Sequence, residues 1–261
     1  MYVKDEVLSM LEPYIILEGY RGSIAHGTYQ ETITEDDKDI MGVFVEPPDY
    51  IFGLKRIETV ERMISEKVNT GKIIVWDIVY YSLKKYLSLV AKQNPNVLSL
   101  LWLPDRHILK CTELGKQLLA AKQSLASKQA YHSFVGYAYG QLHRMKNPDQ
   151  TGKLGQKRKE LIARFGYDVK NASHLIRLLK MGIEFLATGE LIVERPENNL
   201  LLEIKRGDWP LQKVEDLADD LFITIDEALI HSKLQNKINT KFVNDLCKAI
   251  NTSFYREQRW N

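Results

Sequence analysis

Apolar and polar positions change rhythm part-way along this chain. Tyr14 to Tyr20 (YIILEGY) is β-branched and aromatic enough to predict a buried strand. Asp39 to Val45 (DIMGVFV) predicts a second, stopped by Pro47 and Pro48. Ile57 to Val68 alternates apolar with charged residues, which suits a half-exposed strand. Lys72 to Ser82 is almost continuously apolar, interrupted by Asp77. Ahead of these strands, Val3 to Leu11 has helical spacing that Pro13 ends.

From Leu83 the period becomes helical. LKKYLSLVAKQ and NPNVLSLLWL read as helices, the second with Asn94 as cap and Pro95 at the first helical position. Arg106 to Cys111 predicts a short strand, and long amphipathic stretches then cover 112–147, 155–187, 210–233 and 238–257. The pattern predicts an α+β chain. An N-terminal α/β unit spans 1–110 and a mostly helical region 111–261, with the boundary falling somewhere in 104–128.

Composition narrows the class without naming a ligand. Of 261 residues, 44% are hydrophobic and 27% charged, the values of a soluble globular protein. A formal charge of +2 is too small to argue by itself for nucleic acid or membrane, so any basic site must come from local clustering. Cys111 and Cys247 stand far apart with no metal-type partner nearby in sequence, which suggests neither a disulfide framework nor a zinc site. No apolar run approaches the roughly 18 residues of a membrane span. The N-terminal segment, interrupted by Lys4, Asp5, Glu6 and Glu12, is unlike a signal peptide. A reduced, cytoplasmic setting is the expectation.

Candidate chemistry concentrates between Gly22 and Asp77. Asp37 and Asp39, at i and i+2 where a strand begins, point to one face while Lys38 points to the other. Two close carboxylates repel unless a cation sits between them, and a pair of Mg²⁺ ions suits carboxylate oxygens while leaving room for phosphate. Gly22-Ser23 follows the first strand, where glycine permits close backbone approach and successive N–H groups with a hydroxyl form an anion-binding concavity. Asp77 is a third carboxylate, read as buried and in need of a neutralising partner: a shared metal, a helix terminus or an Arg. Each feature alone has a plain reading as a turn, a solvated loop or a structural ion pair. Their order and strand context favour a site.

The motifs GSIAHGT, DDKDIMGVFV and VWDIVYYSL resemble the DNA polymerase beta-like nucleotidyltransferase superfamily, and within it the RlaP-type nucleotidyltransferases associated with RNA repair. The resemblance extends through GVFVEPPDYIFGL, YYSLKKYLSLVAKQNPNVLSLLWLP and FGYDVKNASHLIRLLKMGIEFLATGEL, most of the chain. It implies a mixed-sheet catalytic domain and a helical region closing over the nucleotide. It also implies Gly22 and Ser23 on the triphosphate, and Asp37, Asp39 and Asp77 as catalytic metal ligands for two Mg²⁺ (or Mn²⁺) ions. The family often has Tyr at His26 and Ser at Asp36. That leaves a choice among Asp36, Asp37 and Asp39, in which the spacing to Gly42 favours the last two and sends Asp36 to solvent.

A second region is basic. On the helix expected after Gly166, Lys170, His174 and Arg177 at i, i+4 and i+7 share a face, close in sequence to Lys153, Lys157, Arg158 and Lys159. This row is the candidate for nucleotide phosphates or a polyanionic acceptor, against the plain reading of a solvated basic face. The expected activity is transfer of NMP from an NTP, ATP foremost, to an acceptor hydroxyl with release of pyrophosphate. RNA, such as a tRNA end, is the favoured acceptor, with a protein or a small molecule as alternatives. The contrasting reading is a non-catalytic nucleotide- or RNA-binding protein of regulatory or anti-defence type.

Overall fold

The apolar runs of the first hundred residues become strands in the computed structural model, which describes residues 5–31, 35–147 and 156–257. In chain order the elements are α1 (Glu6–Leu11), β1 (Ile15–Tyr20), α2 (Gly22–Ala25), β2 (Glu35–Phe44), α3 (Pro48–Ile51), β3 (Thr59–Lys67), β4 (Ile73–Ser82), α4 (Leu83–Ala91), α5 (Pro95–Leu98), β5 (Ile108–Cys111) and α6 (Glu113–Ala120), then α7 (Ala130–Lys146), α8 (Gln156–Phe165), α9 (Val169–Thr188), α10 (Asn198–Arg206), α11 (Leu211–His231) and α12 (Thr240–Glu257). Short 3-10 turns join several of them. The expected helix start at Val3 lies outside the described residues; within them, Asp5 caps α1 by accepting from Leu8 N–H at 2.8 Å.

The strands form one mixed sheet in the order β3-β4-β2-β1-β5. β2 and β4 run parallel; the β1–β2, β1–β5 and β3–β4 pairs are antiparallel. The α+β expectation with a mixed sheet holds. One detail differs: β2 begins at Glu35, not Asp39, because its ladder with β4 runs from Glu35 opposite Ile73 to Phe44 opposite Ser82. Pairing with β4 carries the strand back through the acidic knot, where apolar content alone gives no sign of it.

The two faces of the sheet do different work. Ile40 and Phe44 of β2 join Trp76, Ile78 and Tyr80 of β4 in a core closed by Leu8 and Leu11 of α1. Strand alternation therefore sends the odd-numbered residues of β2 and β4, including Asp37, Asp39 and Asp77, to the opposite face. Lys38 goes to the core side, where its ammonium stands over the Trp76 ring at 5.2 Å from the centroid.

Gly42 is the close-packed point of this sheet. It lies in register between Glu18 and Tyr80, and Tyr80 reaches across it to donate its hydroxyl to Glu18 Oε1. A Cβ at position 42 would meet the Tyr80 ring at 2.6 Å.

The chain packs as two units. The first, Met1–Lys92 with Asn96–Leu125 and Ile238–Asn261, holds the sheet and also α12, which the division at 110/111 groups with the helical half. In it Tyr255 donates to the Glu46 carbonyl, and Phe254 lies against Tyr14 with ring centroids 5.8 Å apart. The second unit, Gln93–Pro95 with Ala126–Lys237, packs α7, α10 and α11 around α9, whose Leu175, Ile176, Leu179 and Phe185 are buried. Its Arg195 is wholly buried and bridges Glu184 and Glu197 at 2.6 and 2.8 Å. The stretch 155–187 divides at Gly166 (φ +80°), after which Asp168 caps α9 by accepting from the Lys170 and Asn171 N–H groups at 3.1 Å each. Among the described residues, no helix is long and apolar enough to cross a membrane.

Gly42→Ala is expected to destabilise the first unit by about 2 kcal/mol, because the Tyr80 ring must leave its place. Urea unfolding of the variant against the parent measures this, and an unchanged midpoint would contradict the packing role.

Candidate active site

β1 delivers the chain to a tight turn beside β2. The Arg21 N–H donates to the Asp39 carbonyl at 2.9 Å, and Gly22 then takes φ +62°. A Cβ on Gly22 would fall 2.0 Å from Asp39 Oδ2, so only glycine fits this conformation and this approach. The turn closes as the His26 N–H donates to the Gly22 carbonyl (3.1 Å) and the Thr28 N–H to the Ser23 carbonyl (2.9 Å). Ser23 is half-buried in this turn, and His26 and Thr28 are buried.

Three carboxylates share the sheet face beside this turn. Asp39 is directly opposite Asp77 in the β2–β4 ladder, and Asp37 is two residues before Asp39 on the same face. Asp37 is exposed, whereas the Asp39 and Asp77 side chains are 26% and 44% exposed. The Asp36 side chain lies outside the described set.

A cation already answers these acids. Arg21 Nη2 is 2.8 Å from Asp77 Oδ2 and 4.0 Å from Asp39 Oδ1, while its buried Nε has no hydrogen-bond partner among the described residues. The reading of Asp77 as a buried charge is corrected. Its side chain is nearly half exposed, and its partner is Arg21, the Arg alternative left open by sequence. The exposure has a local cause, since β4 is only partly covered from Ile73 to Val75 and is buried from Ile78 to Tyr80.

The donor set suits a hard divalent cation. Oxygen-only ligands lie side by side, the turn glycine brings backbone to within a Cβ's width of one of them, and the guanidinium stands in as a positive charge between two. Among the described residues, no three acid, His or Cys side chains stand close enough together to hold a metal ion as they lie.

The basic row lies in the second unit, on α9. It is not a uniformly solvated face: Lys170 is exposed, His174 half-buried, and Arg177 9% exposed with its Nη1 donating to Met181 Sδ at 3.3 Å. Burial pushes the His174 imidazole well below its ordinary value, and the positive charges of Arg177, Lys170, Lys205 and Arg158 push it further. Burial likewise lowers Arg177 to about 10, with Arg195 adding to the shift. Arg158 pairs with the Asp168 cap at 2.7 Å. Lys153 and the Lys157 side chain lie outside the described residues. Arg21 and Lys205 were passed over in sequence; the first precedes the Gly-Ser pair directly, and the second lies on α10, a helix the sequence reading did not anticipate.

Residues 6–255 match the RlaP family, the RNA repair pathway DNA polymerase beta family. The chain belongs to this family. The RlaP match spans the sheet, the Gly22 turn, all three carboxylates and the α9 row. A crystal structure of a nucleotidyltransferase-like protein from Exiguobacterium sibiricum 255-15 is similar at 11% identity and a TM-score of 0.30, covering 95% of this chain and 76% of that one. No curated protein matches.

His174 gives this RlaP chain a pH signature. Its folded pKa is depressed, so the neutral form is favoured on folding, and stability present above the ordinary value of 6.5 is lost as pH falls below it. Between about pH 7 and 5.5, His174→Gln is expected to remove about 1 kcal/mol of that loss. Urea midpoints across this range test it, and identical slopes in both proteins would refute it.

Proposed function

We propose that this RlaP protein transfers a nucleoside monophosphate from an NTP, ATP foremost, to an acceptor hydroxyl of RNA, a tRNA end included, and releases pyrophosphate. The observation that carries the reading is the pairing of Asp39 with Asp77, with Asp37 on the same face, beside a turn whose Gly22 has no room for a side chain. Asp37, Asp39 and Asp77 would hold Mg²⁺ or Mn²⁺, which when bound neutralises phosphate charge.

The remaining work falls to the chain itself. The Gly22-Ser23 turn supplies N–H groups and the Ser23 hydroxyl to the β- and γ-phosphates. The acceptor oxygen forms a bond to the α-phosphorus as the bond to the β-phosphate oxygen breaks, and pyrophosphate leaves with the electron pair. Asp77, half exposed, is the carboxylate to take the hydroxyl proton. Arg21, once released from Asp77, offers its guanidinium to the departing pyrophosphate. In the second unit, Lys170 and Arg177 provide positive charge for phosphate, and His174 a ring N–H.

One observation favours a second reading. The Arg21–Asp77 ion pair satisfies the acid without a metal, as a non-catalytic nucleotide-binding protein would require. Incubation with each of the four NTPs, Mg²⁺ and pools of RNA or protein, followed by mass analysis of the acceptors, separates the two. Pyrophosphate release is expected, reduced at least about a thousandfold by Asp37→Asn with Asp39→Asn. Transfer that survives the double substitution would sink the catalytic assignment. NTP binding independent of Mg²⁺ and without pyrophosphate release would establish the second reading, and labelled protein in place of labelled RNA would make the enzyme a protein AMP-transferase.

The stand-in role of Arg21 has its own readout. Arg21→Met removes a cation that competes for Asp77, so Mn²⁺ binding followed by electron paramagnetic resonance is expected to tighten about tenfold. Unchanged Mn²⁺ affinity would show that the guanidinium does not hold the place of an ion.

A further inference from the structure

Two neighbouring arginines in the second unit are treated very differently. Arg195 is wholly buried and fully answered, with Glu184 at 2.6 Å, Glu197 at 2.8 Å and the Ile192 carbonyl at 2.7 Å. Arg177 is nine-tenths buried, yet among the described residues its guanidinium donates to Met181 Sδ, a weak acceptor. A buried guanidinium served by a thioether lacks the oxygen partners that burial ordinarily demands.

Its surroundings are positive. His174 precedes it by one turn and Lys170 by two, and the charges acting on His174 are those of Arg177, Lys170, Lys205 on α10 and Arg158 on α8. Arg158 is paired with the Asp168 carboxylate. The row descends from exposed Lys170 through half-buried His174 to buried Arg177. α10 is tied to α9 where Ser173 Oγ donates to the Leu201 carbonyl at 3.0 Å, which sets Lys205 on the adjoining helix.

We propose that Lys170, His174, Arg177 and Lys205 form a binding site for a phosphomonoester dianion, the terminal phosphate of a nucleotide or of an RNA end. A phosphomonoester has two negative charges and three free oxygens, enough to engage several donors at once. A phosphodiester carries one charge and two free oxygens and is flanked on both sides by chain, so it engages fewer of these donors at once. The proposal deepens the phosphate role given above to Lys170, His174 and Arg177, and it rests on that reading for the ligand class but requires no transfer.

The test uses the full chain carrying Asp37→Asn and Asp39→Asn, with EDTA present, so that the carboxylate site and its metal play no part. Calorimetry follows inorganic phosphate, AMP, a 5′-phosphorylated oligoribonucleotide and its 5′-hydroxyl twin. Lys170→Gln and Arg177→Met are each expected to weaken phosphomonoester binding about tenfold. Lys170 is exposed, so its substitution reports on binding even where Arg177→Met disturbs folding. The His174 ring resonance supplies a readout that a structural role would not move: its pKa rises when an anion offsets the surrounding cations.

Tighter binding of AMP than of the phosphorylated oligonucleotide names a nucleotide as the source, and the reverse order names an RNA end. Equal binding of the phosphorylated and hydroxyl oligonucleotides overturns the proposal in favour of backbone contacts. Affinity unchanged by Lys170→Gln, or no phosphate binding at all, also overturns it. Phosphate binding that persists in a chain found inactive as a transferase would count against the transfer reading alone.

Discussion

The parallel pairing of β2 with β4 brings two like charges together, and much of the first unit is arranged around that fact. Asp39 and Asp77 are register partners. At the roughly 5 Å separation of neighbouring strands, two carboxylates repel by about 3 kcal/mol at an effective dielectric near 20. Nothing in the strands relieves this, since the next partner of Asp77, on β3, is Met63. Relief comes from the turn after β1, where the Arg21 guanidinium reaches Asp77 and its backbone N–H anchors to the Asp39 carbonyl. The anchor brings Gly22 so close to the Asp39 carboxylate that a side chain has no room. One ladder, one arginine and one glycine thus form a single construction, and altering any of them moves the others.

The opposite face of the same strands explains why the ladder holds its register. A one-residue slip would carry Ile40, Phe44, Trp76, Ile78 and Tyr80 out of the core against α1 and turn the acids inward. The Tyr80–Glu18 bond across Gly42 adds a polar pin at the centre of the sheet. Core packing on one side therefore enforces charge crowding on the other, which is how a stable sheet supports a face that is electrostatically unfavourable until a cation occupies it.

What could be read from sequence divides along physical lines. Alternation and apolar density located the strands, because period-two patterning reports directly on the two faces. The partner of β2 was not legible: an apolar run such as Ile73 to Ser82 does not say which strand it joins, and the parallel ladder was needed to carry β2 back to Glu35. Asp77 was taken as buried because its neighbours are greasy, but apolar neighbours raise burial only where another layer covers them, and the first residues of β4 are half covered. Arg21 carries no pattern at all, since its meaning comes from a residue far downstream. On α9 the helical spacing put Lys170, His174 and Arg177 on one face, yet spacing gives the face and not the depth. Depth depends on where α7, α10 and α11 cover the helix, and α10, nine residues long with Gly207 as its stop, was too short to stand out.

The second unit handles its two buried arginines by contrasting means, and the contrast bears on how an RlaP chain with so little net charge could engage a polyanion. A formal charge of +2 produces no long-range field to draw nucleic acid from a distance. Recognition in the proposed reading must then be short-range, made by donors whose own desolvation has already been met in folding. Arg177 fits that description, being buried beside a thioether and neighbouring Arg195. It loses little further hydration when an anion arrives, so the attraction it offers is less offset by the desolvation that weakens contacts made by surface lysines. On the same argument an anion held there is less screened by salt than one held by Lys170 alone, because screening falls off as the pair moves out of solvent. On the proposed reading, the depth of Arg177 is the source of a local affinity for phosphate that the overall charge does not supply.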